Sequence, residues 1–196
     1  MKLVLATANP GKIKEMQEIL AELNIDVVTR KDLGIELDVE ETGETFLENA
    51  TLKAEAICKA SGLPSVADDS GLVVDALGGK PGVHSSSYGG PELDNNERCA
   101  YLLEKMRDME HRSAKFVCTI VCAFPEGGSL TAQGECPGEI ITEPRGFNGF
   151  GYDPVFQVKG KNKTMAELPP DEKNAISHRG LALRKFAQLL RERGTL

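Results

Sequence analysis

Two adjacent carboxylates, Asp68 and Asp69, are the residues whose types and setting could do chemistry. They follow the apolar pair Val66-Ala67, and an apolar run resumes at Leu72 after a Ser-Gly step. Anions at the edge of a hydrophobic core need compensating partners. In an extended segment neighbouring side chains point to opposite faces, so one acid could bind a cation while the other positions a water or a supporting group. A β-turn with two solvated acids explains the segment by itself equally well.

A turn that could bind an anion lies near the start of the chain. The segment Thr7-Ala8-Asn9-Pro10-Gly11-Lys12 follows a short predicted strand over Lys2–Ala6. Asn9 suits the N-cap of a helix and Pro10 its first position. A strand–turn–helix start offers backbone N–H groups and the positive end of the helix dipole to an anion. Lys12 stands where helices prefer acids, which fits an anion beside it; a solvated lysine is the alternative.

A run of seven acids without a base extends from Asp32 to Glu48. Runs of like charge usually form a solvated face, and Thr45 with Glu48 forms a capping box for a helix that reaches about Ala60. On that helix Asn49 and Lys53, four residues apart, lie on one face. The predicted core face consists of Phe46, Leu47, Ala50, Ala54 and Ile57.

Two further segments are unusual in composition. The stretch 146–154 combines three glycines with three aromatic residues, which favours a loop that lies close against a flat ring. From Lys173 onward the chain has six basic residues and one acid. Ser177 is expected to cap a helix over Arg179–Arg193. Upstream, a helix over Glu92–Met109 and strands over Ile25–Val28 and Ala114–Phe124 are predicted.

The composition, with 27% charged and 40% hydrophobic residues, is that of a soluble globular protein. No membrane span or signal peptide is expected. Five cysteines without zinc-type spacing predict reduced thiols and a cytoplasmic location. Residues 1–98 carry 9 Lys and Arg against 18 acids, and residues 99–196 carry 14 against 12. An acidic half that could hold a divalent metal and a basic segment are typical of an enzyme acting on phosphates; no nucleic-acid or membrane partner is expected.

Four short motifs, taken in order, resemble those of one family. They are Thr7-x-Asn9-x-x-Lys12, Asp68-Asp69-Ser70-Gly71-Leu72, Gly149-Phe150-Gly151-Tyr152-Asp153-Pro154 and Ser177-His178-Arg179. Over essentially its whole length the chain resembles the non-standard purine nucleoside triphosphate pyrophosphatases, the inosine/xanthosine triphosphate pyrophosphatase (RdgB-like) family. The resemblance implies one α/β domain over residues 1–196 with two lobes, a long mixed central sheet flanked by helices, and an active site in the cleft between the lobes.

The resemblance also implies an activity, a cofactor and an assembly. Members hydrolyse ITP, dITP or XTP to the nucleoside monophosphate and pyrophosphate, and so cleanse the nucleotide pool. They are commonly homodimers that need Mg²⁺, with Mn²⁺ as the alternative metal. Where many bacterial members have Ser-Ala-Arg after a Pro-Gly loop, this chain has Ser85-Ser86-Ser87.

Individual residues receive roles from the same resemblance. Asp69 would be the proton acceptor and, with Glu40 and the adjacent Glu41, would hold the metal; Asp68 is expected to support it from the other side of the strand. Substrate would be bound by the turn residues Thr7, Ala8, Asn9, Pro10, Gly11 and Lys12, by Lys53 and Ser70, by the loop residues Phe150, Gly151, Tyr152 and Asp153, and by Lys173, His178 and Arg179.

Two other functions remain open at this point. A Maf-type pyrophosphatase, which acts on modified pyrimidine nucleotides, would share a metal and a cleft but not the motifs at residues 150–153 and 177–179. A non-catalytic ITP sensor would bind the nucleotide without hydrolysis, and the presence of both Glu40 and Asp69 argues against it.

Overall fold

The computed structural model describes residues 2–194. Its strands are β1 (Leu3–Leu5), β2 (Val27–Thr29), β3 (Ser65–Val74), β4 (Ser113–Ala123), β5 (Ser129–Ile140) and β6 (Phe156–Val158). Its α-helices are α1 (Pro10–Glu22), α2 (Phe46–Ser61), α3 (Asn95–Lys105), α4 (Pro170–Ile176) and α5 (His178–Glu192).

The strands form one sheet in the order β2-β1-β3-β4-β5-β6. β1 pairs in parallel with β2 and with β3, and β5 pairs antiparallel with β6. The sheet is therefore mixed, and the expected α/β fold with a mixed sheet and helices is confirmed. The chain divides into two compact units, and the unit boundaries fall within β3, β4 and β5. The single domain and the cleft stay predictions.

Unit 1 comprises Met1–Asp69, Cys118–Gly134 and Arg179–Leu196. Alternate residues of its strands enter two different cores, as the period of two in a strand requires. Leu3, Leu5 and Val66 pack with apolar residues of α1 and α5. Val4, Ala6 and Ala67 pack instead with Ala50, Ala54 and Ile57 of α2. Helices α1 and α5 therefore cover one face of β1 and β3, and α2 covers the other.

Unit 2 comprises Ser70–Val117 and Glu135–His178. Its core joins Leu102 of α3 and Met106, the C-cap of α3, to Phe116 of β4 and Phe156 of β6. The rings of Phe116 and Phe156 lie 4.4 Å apart between centroids. This core anchors the glycine-rich loop over residues 146–154, which precedes β6.

Local signals predicted the starts of α1 and α2 correctly. The side chain of Asn9 accepts a hydrogen bond from Lys12 N, and Pro10 opens α1, as predicted. The capping box of Thr45 and Glu48 at the start of α2 is also present. The prediction that Leu47 belongs to the core is wrong: it is 48% exposed, because it lies in the first turn of α2, and the buried residues of this helix begin at Asn49.

Other predicted boundaries differ modestly. The second strand begins two residues later than predicted. Helix α3 is shorter than the predicted 92–109, and it begins later because Asp94 is its N-cap and forms a capping box. Helix α4, only 7 residues long, was missed.

All five cysteines are unpaired and buried, as reduced thiols would be. Among residues 2–194, no helix combines the length and the apolar composition that a membrane crossing requires.

Candidate functional site

Asp68 and Asp69 point to opposite faces of β3, as their extended backbone predicts. Val66, two residues before Asp68, belongs to the core under α1 and α5, whereas Ala67, two residues before Asp69, belongs to the core under α2. Both carboxylates are buried, Asp68 completely and Asp69 with 5% exposure. The two acids therefore have different hydrogen-bond donors within unit 1.

Asp68 lies among cations. Its Oδ2 is 3.0 Å from Lys12 Nζ and accepts hydrogen bonds from Nε and Nη2 of Arg179 at 3.3 and 3.1 Å. Nη1 of Arg179 donates to Glu15 Oε2 at 2.5 Å. The guanidinium, only 1% exposed, is thus held between two carboxylates.

These contacts fix the charge on Asp68. Burial by itself would raise the pKa of this carboxyl, but Lys12 and Arg179 outweigh it and hold the pKa well below its usual range. Burial likewise opposes the charge of Arg179, yet Asp68 and Glu15 raise its pKa. Asp68 is therefore ionised near neutral pH, and it serves as the counter-ion of this cluster.

The anion that the sequence predicts beside Lys12 is thus supplied by the chain itself. The Lys12 side chain retains 15% exposure. Arg179, expected to reach substrate, is bonded within unit 1 to Asp68 and Glu15. Glu15 was not among the site residues predicted from the sequence. Its spacing of four from the buried Ile19 was the available signal, because it places an acid on the core face of α1.

Asp69 has a different set of partners, which come from α2 and the acidic segment before it. Its Oδ2 accepts a hydrogen bond from Asn49 Nδ2 at 3.1 Å, and its Oδ1 is 3.8 Å from Lys53 Nζ. The same ammonium is 2.5 Å from Glu41 Oε1. Burial raises the pKa of Asp69 despite the opposing pull of Lys53. Asp69 is therefore a better proton acceptor than an exposed aspartate.

The charge on Lys53 is maintained by this surrounding. Burial opposes it, but the carboxylates of Asp68, Asp69 and Glu41 raise the pKa of the ammonium above its usual value. Lys53 is thus a cation that is fixed beside two acids on the Asp69 face.

Two of the three predicted metal ligands fit a divalent cation. Glu41, although exposed like Glu40, converges with Asp69 on one cation, the ammonium of Lys53. Mg²⁺ commonly takes one or two carboxylates and completes its shell with waters and phosphate oxygens. Within residues 2–194, no three His, Cys, Asp or Glu side chains gather as a ready metal site.

The turn before α1 is accessible. Ala8, Asn9 and Pro10 are exposed, and Gly11 is half-buried. Thr7 Oγ1 accepts a hydrogen bond from Asn9 N at 3.2 Å, and Asn9 Oδ1 accepts one from Lys12 N at 3.1 Å. These local bonds hold the turn in one conformation and use the N–H groups of Asn9 and Lys12, while Pro10 has none, so Gly11 N–H is the amide of the first turn of α1 that could bind an anion.

In unit 2 an ion pair joins some of the predicted base-binding residues. Lys173 Nζ is 2.6 Å from Asp153 Oδ2, and this oxygen also accepts a hydrogen bond from Phe150 N at 3.0 Å. The ammonium lies 5.1 Å from the centroid of the Phe150 ring. Gly149 has a φ of +75°, and a Cβ there would lie 2.0 Å from Asp153 Oδ2. Only glycine allows the loop to approach the pair this closely.

The remaining residues of this loop differ in placement. Tyr152 is buried in the core of unit 2 and donates a hydrogen bond to Ser85 O at 2.7 Å, while Phe147 is fully exposed. Gly151, half-buried, has a φ of +62°. His178 stacks on Phe116 with the ring centroids 4.8 Å apart. Ser70 is half-buried in β3. The three aromatic residues of this loop thus have different positions: Phe147 lies at the surface, Phe150 lies beside the ion pair, and Tyr152 lies in the core.

Comparison with known proteins gives full-length matches. The model of the Ham1 family matches residues 3–189. A dITP/XTP pyrophosphatase from Thermus thermophilus is 50% identical over 98% of this chain and 93% of its own length. A dITP/XTP pyrophosphatase from Bacillus subtilis is 48% identical over 95% and 96%. Among solved structures, a HAM1 protein from Coxiella burnetii superposes with a TM-score of 0.89 at 46% identity, covering 98% of this chain and 99% of its own.

Proposed function

Because this chain belongs to the Ham1 family, we propose that it hydrolyses deaminated purine nucleoside triphosphates to the nucleoside monophosphate and pyrophosphate. The substrates are dITP, XTP and ITP. The observation that carries this proposal is the match, at about half identity over nearly the whole chain, to proteins named dITP/XTP pyrophosphatase. The same matches favour this function over a Maf-type pyrophosphatase and over an ITP sensor.

The charges of unit 1 support the binding of a polyphosphate. Lys12 in the first turn of α1 and Lys53 on α2 are cations with restricted freedom, since each is paired with a carboxylate. With the N–H of Gly11 in the turn over residues 7–12, they would neutralise part of the triphosphate charge. Splitting a phosphoanhydride depends chiefly on such neutralisation and on positioning.

In the proposed reaction a water oxygen bonds to the α-phosphorus, and the bond from the α-phosphorus to the α,β-bridging oxygen breaks. The proton of the water passes to the carboxylate of Asp69, and the electron pair of the broken bond leaves with pyrophosphate. The burial of Asp69 and its contacts with Asn49 and Lys53 support this role, because they hold the carboxylate in one position. Asp68 stays ionised and holds Lys12.

We further propose Mg²⁺ as cofactor, with Mn²⁺ as the alternative metal, held by Asp69 and Glu41. When bound, a divalent cation neutralises charge on phosphate oxygens and polarises water. The approach of both carboxylates to one ammonium supports their assignment to the same ion. Homodimer formation, the lack of a nucleic-acid partner and the cytoplasmic location stay predictions.

Product analysis tests the reaction. The protein is incubated with dITP and Mg²⁺ in water enriched in ¹⁸O, and the products are separated and weighed by mass spectrometry. We expect deoxyinosine monophosphate that carries one ¹⁸O atom, together with unlabelled pyrophosphate. Stepwise release of orthophosphate would contradict the proposal. Label in the pyrophosphate would still show pyrophosphatase activity, but it would contradict the proposed attack of water on the α-phosphorus.

A comparison of kcat/KM among nucleoside triphosphates tests the substrate specificity. Phe150 and Lys173 are proposed to meet the base, with donors aimed at the 6-oxo group. Adenine has an amine there, and each donor left unsatisfied costs about 1–3 kcal/mol. Guanine retains the oxo group, and Asp153 Oδ2, already bonded to Lys173 and Phe150 N, is a poor acceptor for its 2-amino group.

The predicted kcat/KM values for ITP, dITP and XTP lie well above that for GTP, and the value for GTP equals or exceeds that for ATP. Discrimination by buried hydrogen bonds reaches roughly 10⁴-fold. Values within tenfold across ITP, GTP and ATP would reject this specificity and leave the bond cleavage standing.

A further inference from the structure

Asn49 has no assigned part in the reaction, although its side chain joins Asp69 to the acidic segment. Its amide is 2% exposed on the inner face of α2. Nδ2 donates to Asp69 Oδ2 at 3.1 Å, and Oδ1 accepts a hydrogen bond from Gly43 N at 2.8 Å. The amide therefore stands between the predicted proton acceptor and the backbone of residues 40–44.

The orientation of this amide is determined by its two neighbours. The N–H of Gly43 can only donate, so it requires the amide oxygen; an ionised Asp69 can only accept, so it requires the amide nitrogen. Turning the amide by half a rotation would put two donors together on one side and two acceptors on the other. The bond to Gly43 thus selects the orientation in which Asn49 presents a donor to Asp69.

The sequence is adapted to this contact at Gly43. A Cβ at residue 43 would lie 2.7 Å from Asn49 Oδ1, 2.9 Å from Asn49 N and 2.6 Å from the Cβ of Glu48. Any larger residue would push the segment away from Asn49. Glycine is required here for close approach and not for an unusual backbone conformation.

We infer that Asn49 is a positioning residue for the proposed hydrolysis: oriented by Gly43 N–H, its amide fixes the rotation of the Asp69 carboxylate. The inference rests on the proposed function. One turn further along α2, Lys53 approaches the other oxygen, Oδ1. Side chains that orient a reacting or metal-binding carboxylate typically contribute roughly 10- to 100-fold, although they touch no substrate.

Two variants separate the donor of Asn49 from its acceptor. Asn49→Asp keeps an oxygen for Gly43 N–H but replaces the donor that faces Asp69. Asn49→Ala removes both and adds no charge. Thr51→Ala is the matched control, because it removes a hydrogen bond within the same helix, to Leu47 O, without touching Asp69. Each variant is measured for kcat and KM on dITP, and for hydrogen exchange in a peptide that contains residue 43.

We expect kcat to fall by roughly 10- to 100-fold in both Asn49 variants with KM little changed, and to stay at the wild-type value in Thr51→Ala. Exchange at residue 43 should accelerate in Asn49→Ala and stay slow in Asn49→Asp. Wild-type kcat in Asn49→Asp with slow exchange would show that Asn49 only anchors the segment, and would overturn the inference. If Asn49→Asp does not fold, an unchanged kcat in Asn49→Ala has the same consequence. Absence of dITP hydrolysis by the wild type would instead reject the proposed function.

Discussion

Asp68 and Asp69 are chemically identical neighbours, yet the two faces of β3 give them opposite electrostatic surroundings. Asp68 meets the full charges of Lys12 and Arg179 at one oxygen, and the pKa of its carboxyl is lowered. Asp69 accepts a neutral hydrogen bond from Asn49 and makes a longer contact with Lys53. There burial prevails and the pKa is raised.

The difference shows that the balance of nearby cations against burial separates a structural anion from a reactive one. Lys12 and Arg179 compensate the charge of Asp68, so protonation of Asp68 would remove the anion that balances these two cations. Asp69 is compensated less, so it retains affinity for a proton. The two residues therefore should not substitute for each other, and removal of their partners should have different consequences.

The largest expected effect lies on the Asp68 face. Arg179→Met removes the cation between two buried carboxylates, which leaves Asp68 and Glu15 with less compensation. Breaking a buried ion pair from one side typically costs about 3–5 kcal/mol. Urea unfolding should show a loss of this size, whereas Arg191→Met, at an exposed position of the same helix, should stay within about 0.5 kcal/mol. A loss below about 1 kcal/mol for Arg179→Met would show that the cluster is not a source of stability.

The Mg²⁺ requirement tests the Asp69 face. Glu41 reaches the ammonium that Asp69 also approaches, and Glu40 is its equally exposed neighbour in the sequence. We expect Glu41→Gln to raise the Mg²⁺ concentration for half-maximal activity by roughly tenfold or more, the scale of a weakened metal site. Glu40→Gln is the matched control and should change it little. The reverse ranking would move the metal assignment to Glu40.

A smaller effect should appear in the pH dependence of stability. The lowered pKa of Asp68 means that the unfolded state binds the proton more readily, so this residue stabilises the fold above about pH 4 and loses that contribution as the pH falls. The raised pKa of Asp69 has the opposite sign, because there the folded state binds the proton more readily.

Unfolding free energies between about pH 3 and 6 check the signs. Asp68→Asn should make the rise of stability with pH shallower, and Asp69→Asn should make it steeper. A change in the same direction for both variants would contradict the contrast between the two faces.

The sequence predicted those features that local rules determine. Strand alternation separated Asp68 from Asp69, and the cap at Asn9 follows from residue type alone. The pair of Glu15 and Arg179, separated by 164 positions, has no local signal, because packing of α1 against α5 creates it. Tyr152 was likewise assigned to substrate from its motif, while its ring lies in the core of unit 2.

The turnover of Asp69→Asn tests the central claim most directly. The exchange preserves shape and removes the proposed proton acceptor. The measurement is kcat on dITP at saturating Mg²⁺, with the free energy of unfolding as the check that the protein is folded. We expect a loss on the order of 10²-fold or more in a folded protein. Near wild-type turnover would contradict it and would remove Asp69 from the mechanism.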